Sequence, residues 1–227
     1  MTPRAELLLL GCWLAAPVLA QAPHDAPVAY VARVVAACTP VATAQMRGCN
    51  VVHSYTCPGD YHLSITLHRG LPRDLFSFGV NGDIGGWVAL DGYGRMQVTS
   101  VSDGFSLRAL RETGTDTARH VAQIDVGYYA GPANETYEAR LNGYQVEVDG
   151  ELFLTGTGET TTVLPPQFGT WVNSYDIYLS RRDGLFLSSL RQVSAPQVNE
   201  TFPSGLIRVF RPGVPGFLND AALYDCN

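Results

Sequence analysis

Polar and apolar residues alternate along much of this chain with the period of two that a β-strand produces. Between His62 and Arg69, the apolar residues Leu63, Ile65 and Leu67 are separated by polar ones. Because successive side chains of a strand point to opposite faces, this segment predicts a half-buried strand. No window carries an apolar stripe with helical spacing over more than two turns. The pattern therefore predicts a chain built mainly of strands.

The other segments with a strand pattern are spread over the whole chain. They are short and separated by residues that favour turns. Strands are predicted near residues 28–36, 74–80, 86–90, 95–101, 104–111, 120–128, 135–141, 144–148, 151–155, 170–180, 185–193 and 206–211.

Six Asn-Gly or Asp-Gly pairs punctuate these segments. Asn, Asp and Gly tolerate the positive φ that tight hairpins require, so the pairs predict reversals of chain direction. Repeated reversals between neighbouring strands indicate an antiparallel sheet. The pairs are Asn81-Gly82, Asp91-Gly92, Asp103-Gly104, Asn142-Gly143, Asp149-Gly150 and Asp183-Gly184.

Three of the pairs predict hairpins at residue resolution. The choice of loop is made by keeping apolar residues on one face, since a slip of one residue moves every side chain to the other face. The predictions are a two-residue turn at Asn142-Gly143, a three-residue loop over 148–150 that places Val146 opposite Leu152, and a three-residue loop over 182–184 that places Leu179 opposite Leu187.

The first twenty residues have the composition of an export signal. Arg4 supplies a positive charge, an apolar run follows, and Val18-Leu19-Ala20 offers a cleavage site with small residues. An alternative is lipid attachment at Cys12. Cleavage after Ala20 leaves residues 21–227 as one exported domain, for which we expect an all-β fold: a single antiparallel β-sandwich or a closed β-barrel.

The charge of the chain excludes one class of partner. The formal net charge is −6, and the fifteen basic residues, all of them Arg, are scattered apart from the pair Arg181-Arg182. Nucleic acid is normally met by clustered positive charge, so no nucleic-acid partner is expected. No second long apolar segment follows the signal, so no membrane span is expected in the mature chain.

Four cysteines remain after cleavage: Cys38, Cys49, Cys57 and Cys226. An even number in an exported chain predicts two disulfides. Zinc binding is the alternative, but the sequence contains no C-x-x-C pair that would favour it. Cys226 is one residue from the end, so its bridge is expected to join the C-terminus to the N-terminal quarter. The preferred connectivity is Cys49–Cys57 with Cys38–Cys226.

Three glutamates fall on one face of the predicted meander. With reversals at both Asn142-Gly143 and 148–150, Glu138, Glu147 and Glu151 form a row across three strands. Opposed like charges favour a cation such as calcium or a network of sugar hydroxyls as partner. The alternative is an exposed face whose carboxylates are screened by water.

The segment Glu147-Val148-Asp149-Gly150-Glu151 has the form E-x-D-x-E. It resembles the active-site strand of family-16 glycoside hydrolases, which belongs to a β jelly roll. The resemblance implies that Glu147 is the nucleophile, Asp149 its electrostatic neighbour and Glu151 the acid/base. Those roles require one unbroken strand, in which alternate residues share a face. A reversal at Gly150 excludes them.

Other catalytic signatures are absent from the sequence. It contains no G-x-S-x-G elbow and no H-E-x-x-H motif, and the glycine-rich segment 79–86 lies between predicted strands. No cofactor is expected. The leading hypothesis is an exported non-enzymatic binding or structural module, periplasmic or extracellular, with a carbohydrate or a protein of the envelope as its partner. The alternatives are a retaining glycosidase using Glu147 and Glu151, and a barrel that carries a small apolar ligand.

Overall fold

The computed structural model describes residues 27–226. The predicted signal peptide and Cys12 lie outside these residues. The described chain forms thirteen strands and two short helices. They are α1 (Pro27–Val34), β1 (Thr39–Met46), β2 (Asn50–Cys57), β3 (Tyr61–His68), β4 (Leu71–Gly79), β5 (Ile84–Ala89), β6 (Arg95–Asp103), α2 (Leu107–Thr113), β7 (Thr115–Asp125), β8 (Ala130–Val148), β9 (Glu151–Val163), β10 (Thr170–Ser180), β11 (Phe186–Ala195), β12 (Val198–Thr201) and β13 (Leu206–Phe210).

All thirteen strands belong to one antiparallel sheet that is curled into a half-barrel. From β1 to β12 each strand pairs with the next one along the chain, and β13 returns to pair with β1. The alternation in β3 is confirmed, because Leu63, Ile65 and Leu67 are at most 2 % exposed. The all-β prediction is therefore correct. Within the described residues, neither helix is long and apolar enough to cross a membrane.

Two predicted strands are helices instead. Residues 27–34 form α1 where a strand near 28–36 was expected, and residues 107–113 form α2 where one near 104–111 was expected. The residues at the two ends of α2 explain why this segment is helical. The Ser106 hydroxyl accepts a hydrogen bond from the Ala109 N–H, and Gly114 ends the helix with a φ of 82°. Each helix is about two turns long, too short for its periodicity to stand out from that of a strand.

The hairpin predicted at Asn142-Gly143 is wrong. Strand β8 continues through this pair, and the pairing with β9 shifts between Leu141 and Gln145. The Asn142 side-chain oxygen accepts hydrogen bonds from the Tyr144 N–H at 2.9 Å and from the Thr155 hydroxyl at 2.8 Å. The flexible pair therefore makes an irregularity within a long strand, where these side-chain contacts replace ladder hydrogen bonds.

The other two detailed registers are each wrong by one residue. Reversals do occur, but Val146 lies opposite Phe153 instead of Leu152, and Leu187 lies opposite Tyr178 instead of Leu179. The turn at Asp149-Gly150 has two residues, both with positive φ, as a type I′ turn requires. The connection after β10 is longer than predicted, since Ser180 N–H donates across it to the Leu185 carbonyl.

The prediction of two disulfides is confirmed, but the preferred connectivity is wrong. The bridges are Cys38–Cys57 and Cys49–Cys226. Cys49 and Cys57 flank the two ends of β2, and eight residues of strand span about 25 Å, far beyond the reach of a disulfide. The bridge from Cys226 does reach the N-terminal quarter, as expected.

The core is divided between the two faces of the sheet. On one face, α1 places Tyr30 against a cluster that includes Ile65 and Leu75. A second cluster joins the two distant parts of the curled sheet, because Val209 of β13 and Ala44 of β1 belong to it together with Phe153 of β9. This second contact positions the β8–β9 hairpin beside β13 and forms the groove described next.

Candidate functional site

A groove of about 490 Å³ lies between the tip of the β8–β9 hairpin, the β10–β11 loop and the end of β13. Four arginines contribute to its lining, together with two carboxylates from the hairpin. The apolar lining comes mainly from β13 and the segment that follows it. The charged residues are Arg181, Arg182, Arg208, Arg211, Asp149 and Glu151.

Asp149 fastens the hairpin tip to β13. Its carboxylate accepts the Val209 backbone N–H at 2.8 Å and the Arg208 Nε–H at 2.6 Å. The turn that presents this carboxylate needs positive φ at both central residues, and Asp149 and Gly150 adopt 49° and 78°. Asp and Gly are the residue types that tolerate this geometry. The same pair therefore makes the turn and supplies the contact.

Glu151 and Arg211 form a two-pronged ion pair that is mostly shielded from water. Arg211 donates from Nε to Oε2 at 3.0 Å and from Nη2 to Oε1 at 2.5 Å, and the two side chains are 12 % and 10 % exposed. The Ser180 hydroxyl also donates to Oε1. A guanidinium fork matched to both carboxylate oxygens is the strong form of this interaction.

Asp183, in the β10–β11 loop, contacts the same guanidinium from another side. Its Oδ2 lies 3.1 Å from Arg211 Nη1. Burial opposes ionisation of Asp183, but the Leu185 N–H and the Arg211 charge outweigh it and lower the pKa of the carboxyl. For Arg211, burial is likewise outweighed, by Glu151 and Asp183, so its pKa is raised. Both shifts favour the charged forms of Asp183 and Arg211 at neutral pH.

Arg181 and Arg182 supply positive charge that no ion pair of the groove offsets. Both are exposed, and neither forms an ion pair within the described part of the chain. Arg181 reaches only the neutral Gln145 side chain, at 3.4 Å. Asp149 and Glu151 are neutralised by Arg208 and Arg211. With Asp183 included, three carboxylates face four arginines, so the groove keeps an excess of one positive charge in a chain whose net charge is −6.

The geometry required by the glycosidase hypothesis does not form. Val148 lies opposite Glu151 and Glu147 opposite Leu152, so the chain reverses within the E-x-D-x-E segment. The two glutamates consequently point to opposite faces of the sheet: Glu147 is exposed, whereas Glu151 points to the side of Phe153 and is paired with Arg211. The interpretation of this segment as one unbroken strand is wrong.

The predicted row of three glutamates does not form either. Glu138 is nine positions before Glu147 on the same strand β8, beyond the irregularity at Asn142, and it faces Glu159 of β9. Glu151 is engaged with Arg211. Across residues 27–226, no group of three His, Cys, Asp or Glu side chains is placed to hold a metal ion.

Two buried histidines make contacts that were not predicted. His53 Nε2 lies 2.9 Å from Asp220 Oδ1 and its Nδ1 lies 2.9 Å from the Thr43 hydroxyl. His120 Nε2 lies 2.8 Å from Glu135 Oε2, with both side chains at most 5 % exposed. Each pair joins residues whose proximity depends on strand register or on the return of the C-terminal tail, which periodicity does not reveal.

The four arginines were also missed as a group. The sequence signals only the adjacent pair Arg181-Arg182, while Arg208 and Arg211 join them through the pairing of β13 with β1 and the curl of the sheet. No protein-family model, no curated protein and no solved structure matches this chain.

Proposed function

We propose that this protein is an exported, non-enzymatic β module that binds an anionic group, a phosphate or a carboxylate, in the arginine-lined groove. The observation that carries the proposal is the pair of exposed guanidinium groups, Arg181 and Arg182, beside two carboxylates that are already neutralised. Planar guanidinium groups match the oxygen geometry of phosphate and carboxylate.

The fixed arginines and the apolar surface of the groove support a binding role. Arg208 and Arg211 are held by Asp149 and Glu151 before any ligand arrives, so little side-chain entropy is lost when an anion joins them. Phe210 and Val214 add apolar surface beside the charges. A site with fixed polar groups and some apolar wall is typical of small-ligand recognition.

Export is supported by the two disulfides, because such bonds persist in oxidising compartments such as the periplasm or the extracellular space. We also propose that the curled sheet is a partly open barrel and not a sandwich. Val209 of β13 and Val148 of β8 share one apolar cluster, as expected where distant parts of a curling sheet approach each other. The opposed directions of Glu147 and Glu151 give the glycosidase alternative no support.

Calorimetric titration with pyrophosphate and with citrate tests the proposed function. We expect saturable binding of at least one of these anions to the wild-type chain, weakening as salt is added. The variant Arg181→Gln/Arg182→Gln should bind at least about tenfold more weakly, the equivalent of losing about 1.4 kcal/mol of binding free energy.

The matched control is Arg108→Gln/Arg119→Gln, which removes the same charge from exposed positions on α2 and β7. It should leave the affinity nearly unchanged. Equal weakening in both double variants would show a response to net charge alone, and the absence of saturable binding of both anions would remove the proposed site.

A further inference from the structure

Three loops meet at the end of the sheet opposite to the groove. They are residues 90–94 between β5 and β6, 126–129 between β7 and β8, and 164–169 between β9 and β10. In a meander, alternate connections lie at the same end of the strands, whereas the Asp149-Gly150 turn lies at the other. The thirteen residues of β9 separate the two ends by about 40 Å.

These loops bring together four aromatic side chains, here called the aromatic platform: Tyr93, Tyr128, Phe168 and Trp171. The Tyr128 ring centroid lies 5.7 Å from that of Trp171 and 6.0 Å from that of Phe168. Burial raises the pKa of the Tyr128 phenol, and the Tyr93 side chain lies near enough to add to the shift. The platform is thus continuous from the first loop to the start of β10.

The inner rings of the platform, Phe168 and Trp171, rest on the core. Phe168 packs on Tyr129, with ring centroids 5.1 Å apart, and Tyr129 is only 9 % exposed. Tyr129 belongs to the same buried cluster as Val126 and Leu164, against which Phe168 and Trp171 pack. Because this packing fixes the two inner rings, a ligand that stacks on them loses little side-chain entropy.

The outer rings are open to solvent. Tyr93 is 56 % exposed and Tyr128 is 51 % exposed. Gly92 and Gly127 lie next to them, and a Cβ atom added at either glycine would meet nothing within 4 Å. The approach to the platform is therefore unobstructed from the loop tips.

Polar groups border the platform. The Asp91 carboxylate is exposed and accepts the Tyr93 N–H at 2.9 Å, and Asp125 pairs with Arg95 at 3.2 Å. The two phenol hydroxyls add donors and acceptors. Apolar faces edged by hydroxyls and carboxylates suit a ligand that is itself apolar on its faces and hydroxylated around its rim. The carboxylates disfavour an anionic lipid surface.

We propose that the aromatic platform is a binding surface for the pyranose rings of a neutral polysaccharide. The axial C–H groups of a pyranose pack on the aromatic rings, and its equatorial hydroxyls reach Asp91, Asp125 and the phenols. Rigid Tyr and Trp side chains supply large contact areas at low entropic cost. This site is independent of the arginine-lined groove and needs none of its residues.

The test is a titration of the mature chain with three neutral hexasaccharides: β-1,4-linked glucose, β-1,4-linked N-acetylglucosamine and α-1,4-linked glucose. Tryptophan fluorescence is the first readout, since Trp171 belongs to the platform, and calorimetry is the second. We expect saturable binding of at least one hexasaccharide. The variant Tyr93→Ser/Tyr128→Ser should weaken it at least tenfold without changing the melting temperature, because both rings are half exposed.

The control is Tyr144→Ser, which removes a more exposed tyrosine, 74 % accessible, from the irregular part of β8. Its affinity should equal that of the wild type. Failure of all three hexasaccharides to bind, or equal affinity in the Tyr93→Ser/Tyr128→Ser variant, overturns the proposal. Self-association that this variant abolishes, without sugar binding, would assign the platform to a second copy and overturn it as well. None of these outcomes depends on anion binding in the groove.

Discussion

The ion pairs of the groove differ in how much water reaches them. Arg211 is 12 % exposed and contacts both Glu151 and Asp183, whereas Arg208 is 44 % exposed and contacts Asp149. A buried carboxylate that loses its partner keeps its desolvation cost, while an exposed one is solvated again. The two arginines should therefore differ in their contribution to stability.

The first prediction follows from this difference. Arg211→Met should lower the free energy of unfolding by about 3 kcal/mol, because it leaves Glu151 buried without its counter-charge. Urea titration measures the loss. Arg208→Met is the control with the same change of side chain, and its loss should be much smaller. Equal losses in the two variants would contradict the ranking of the pairs by burial.

His53 makes the stability of the protein depend on pH. Its side chain is buried, and burial lowers its pKa from the usual 6.5, although contact with Asp220 opposes the shift. The unfolded chain therefore binds a proton more readily than the folded one, and stability should be lost as the pH falls through about 6.5.

We expect the free energy of unfolding to fall between about pH 7 and pH 5, and to fall less in His53→Asn than in the wild type. Urea titrations at a series of pH values measure the slopes. A His53→Asn slope identical to that of the wild type would contradict the role of His53.

Among the larger elements, two glycines lie where the pairing of β8 with β9 becomes irregular. Gly156 lies opposite Leu141, where the register of β8 begins to shift, and a Cβ atom added there would collide with the Arg140 carbonyl. Gly143 lies within the irregular segment with a φ of 79°, and a Cβ atom there would meet nothing within 4 Å. Glycine is therefore required at position 156 for lack of space, and at position 143 because of the positive φ.

Gly156→Ala should lower the free energy of unfolding by about 3 kcal/mol, since backbone has to move to admit the methyl group. Gly143→Ala should cost only about 1 kcal/mol, the cost of positive φ for an L-residue. Chemical denaturation of both variants measures the difference. A smaller effect at Gly156 than at Gly143 would mean that β8 does not continue through Asn142-Gly143 as one strand.

The same region shows how far the sequence predicts the fold. Clean alternation located β3, and Asx-Gly pairs located four hairpin connections, at Asn81, Asp91, Asp149 and Asp183. The register at Asp149 was wrong because the prediction kept apolar residues on one face. The structure instead places Glu151 on the side of Val148 and Phe153, where Arg211 neutralises it. A partner sixty residues away leaves no local pattern.

The candidate site was predictable only in part for the same reason. Asp149 and Glu151 were singled out by a motif, yet the geometry gives them partners on β13 and beyond instead of a shared strand face. The arginines come together only through the curl of the sheet, and strand periodicity does not determine curl. The aromatic platform likewise gathers residues from three separate loops.

At the scale of the whole molecule, the two disulfides close loops of very different size. Cys38–Cys57 joins residues 19 positions apart, and Cys49–Cys226 joins residues 177 apart and holds the C-terminal tail. In the chain-entropy description, the larger loop restricts the unfolded chain more. The tail also rests on Gln45, whose side chain bonds Ala221 and Leu223, so the bridge supports an ordered segment.

Removing the long-range bridge with Cys49→Ala/Cys226→Ala should cost about 5 kcal/mol, and removing the short one with Cys38→Ala/Cys57→Ala about 3 kcal/mol. Both variants lose two cysteines, so each is the control for the other. Guanidinium-induced unfolding gives the two values. The reverse order would show that the tail is held by its other contacts and not by the bridge.

The groove depends on the whole molecule, because the β8–β9 hairpin, the β10–β11 loop and β13 meet there only when the sheet is curled. Amide chemical shifts of the ¹⁵N-labelled mature chain, followed during a pyrophosphate titration, report where an anion binds. We predict saturable shifts concentrated in residues 149–152, 181–182 and 208–211, with residues 90–94 and 126–129 unmoved. Shifts concentrated away from the groove, or no saturable shifts at all, would contradict the proposed anion site.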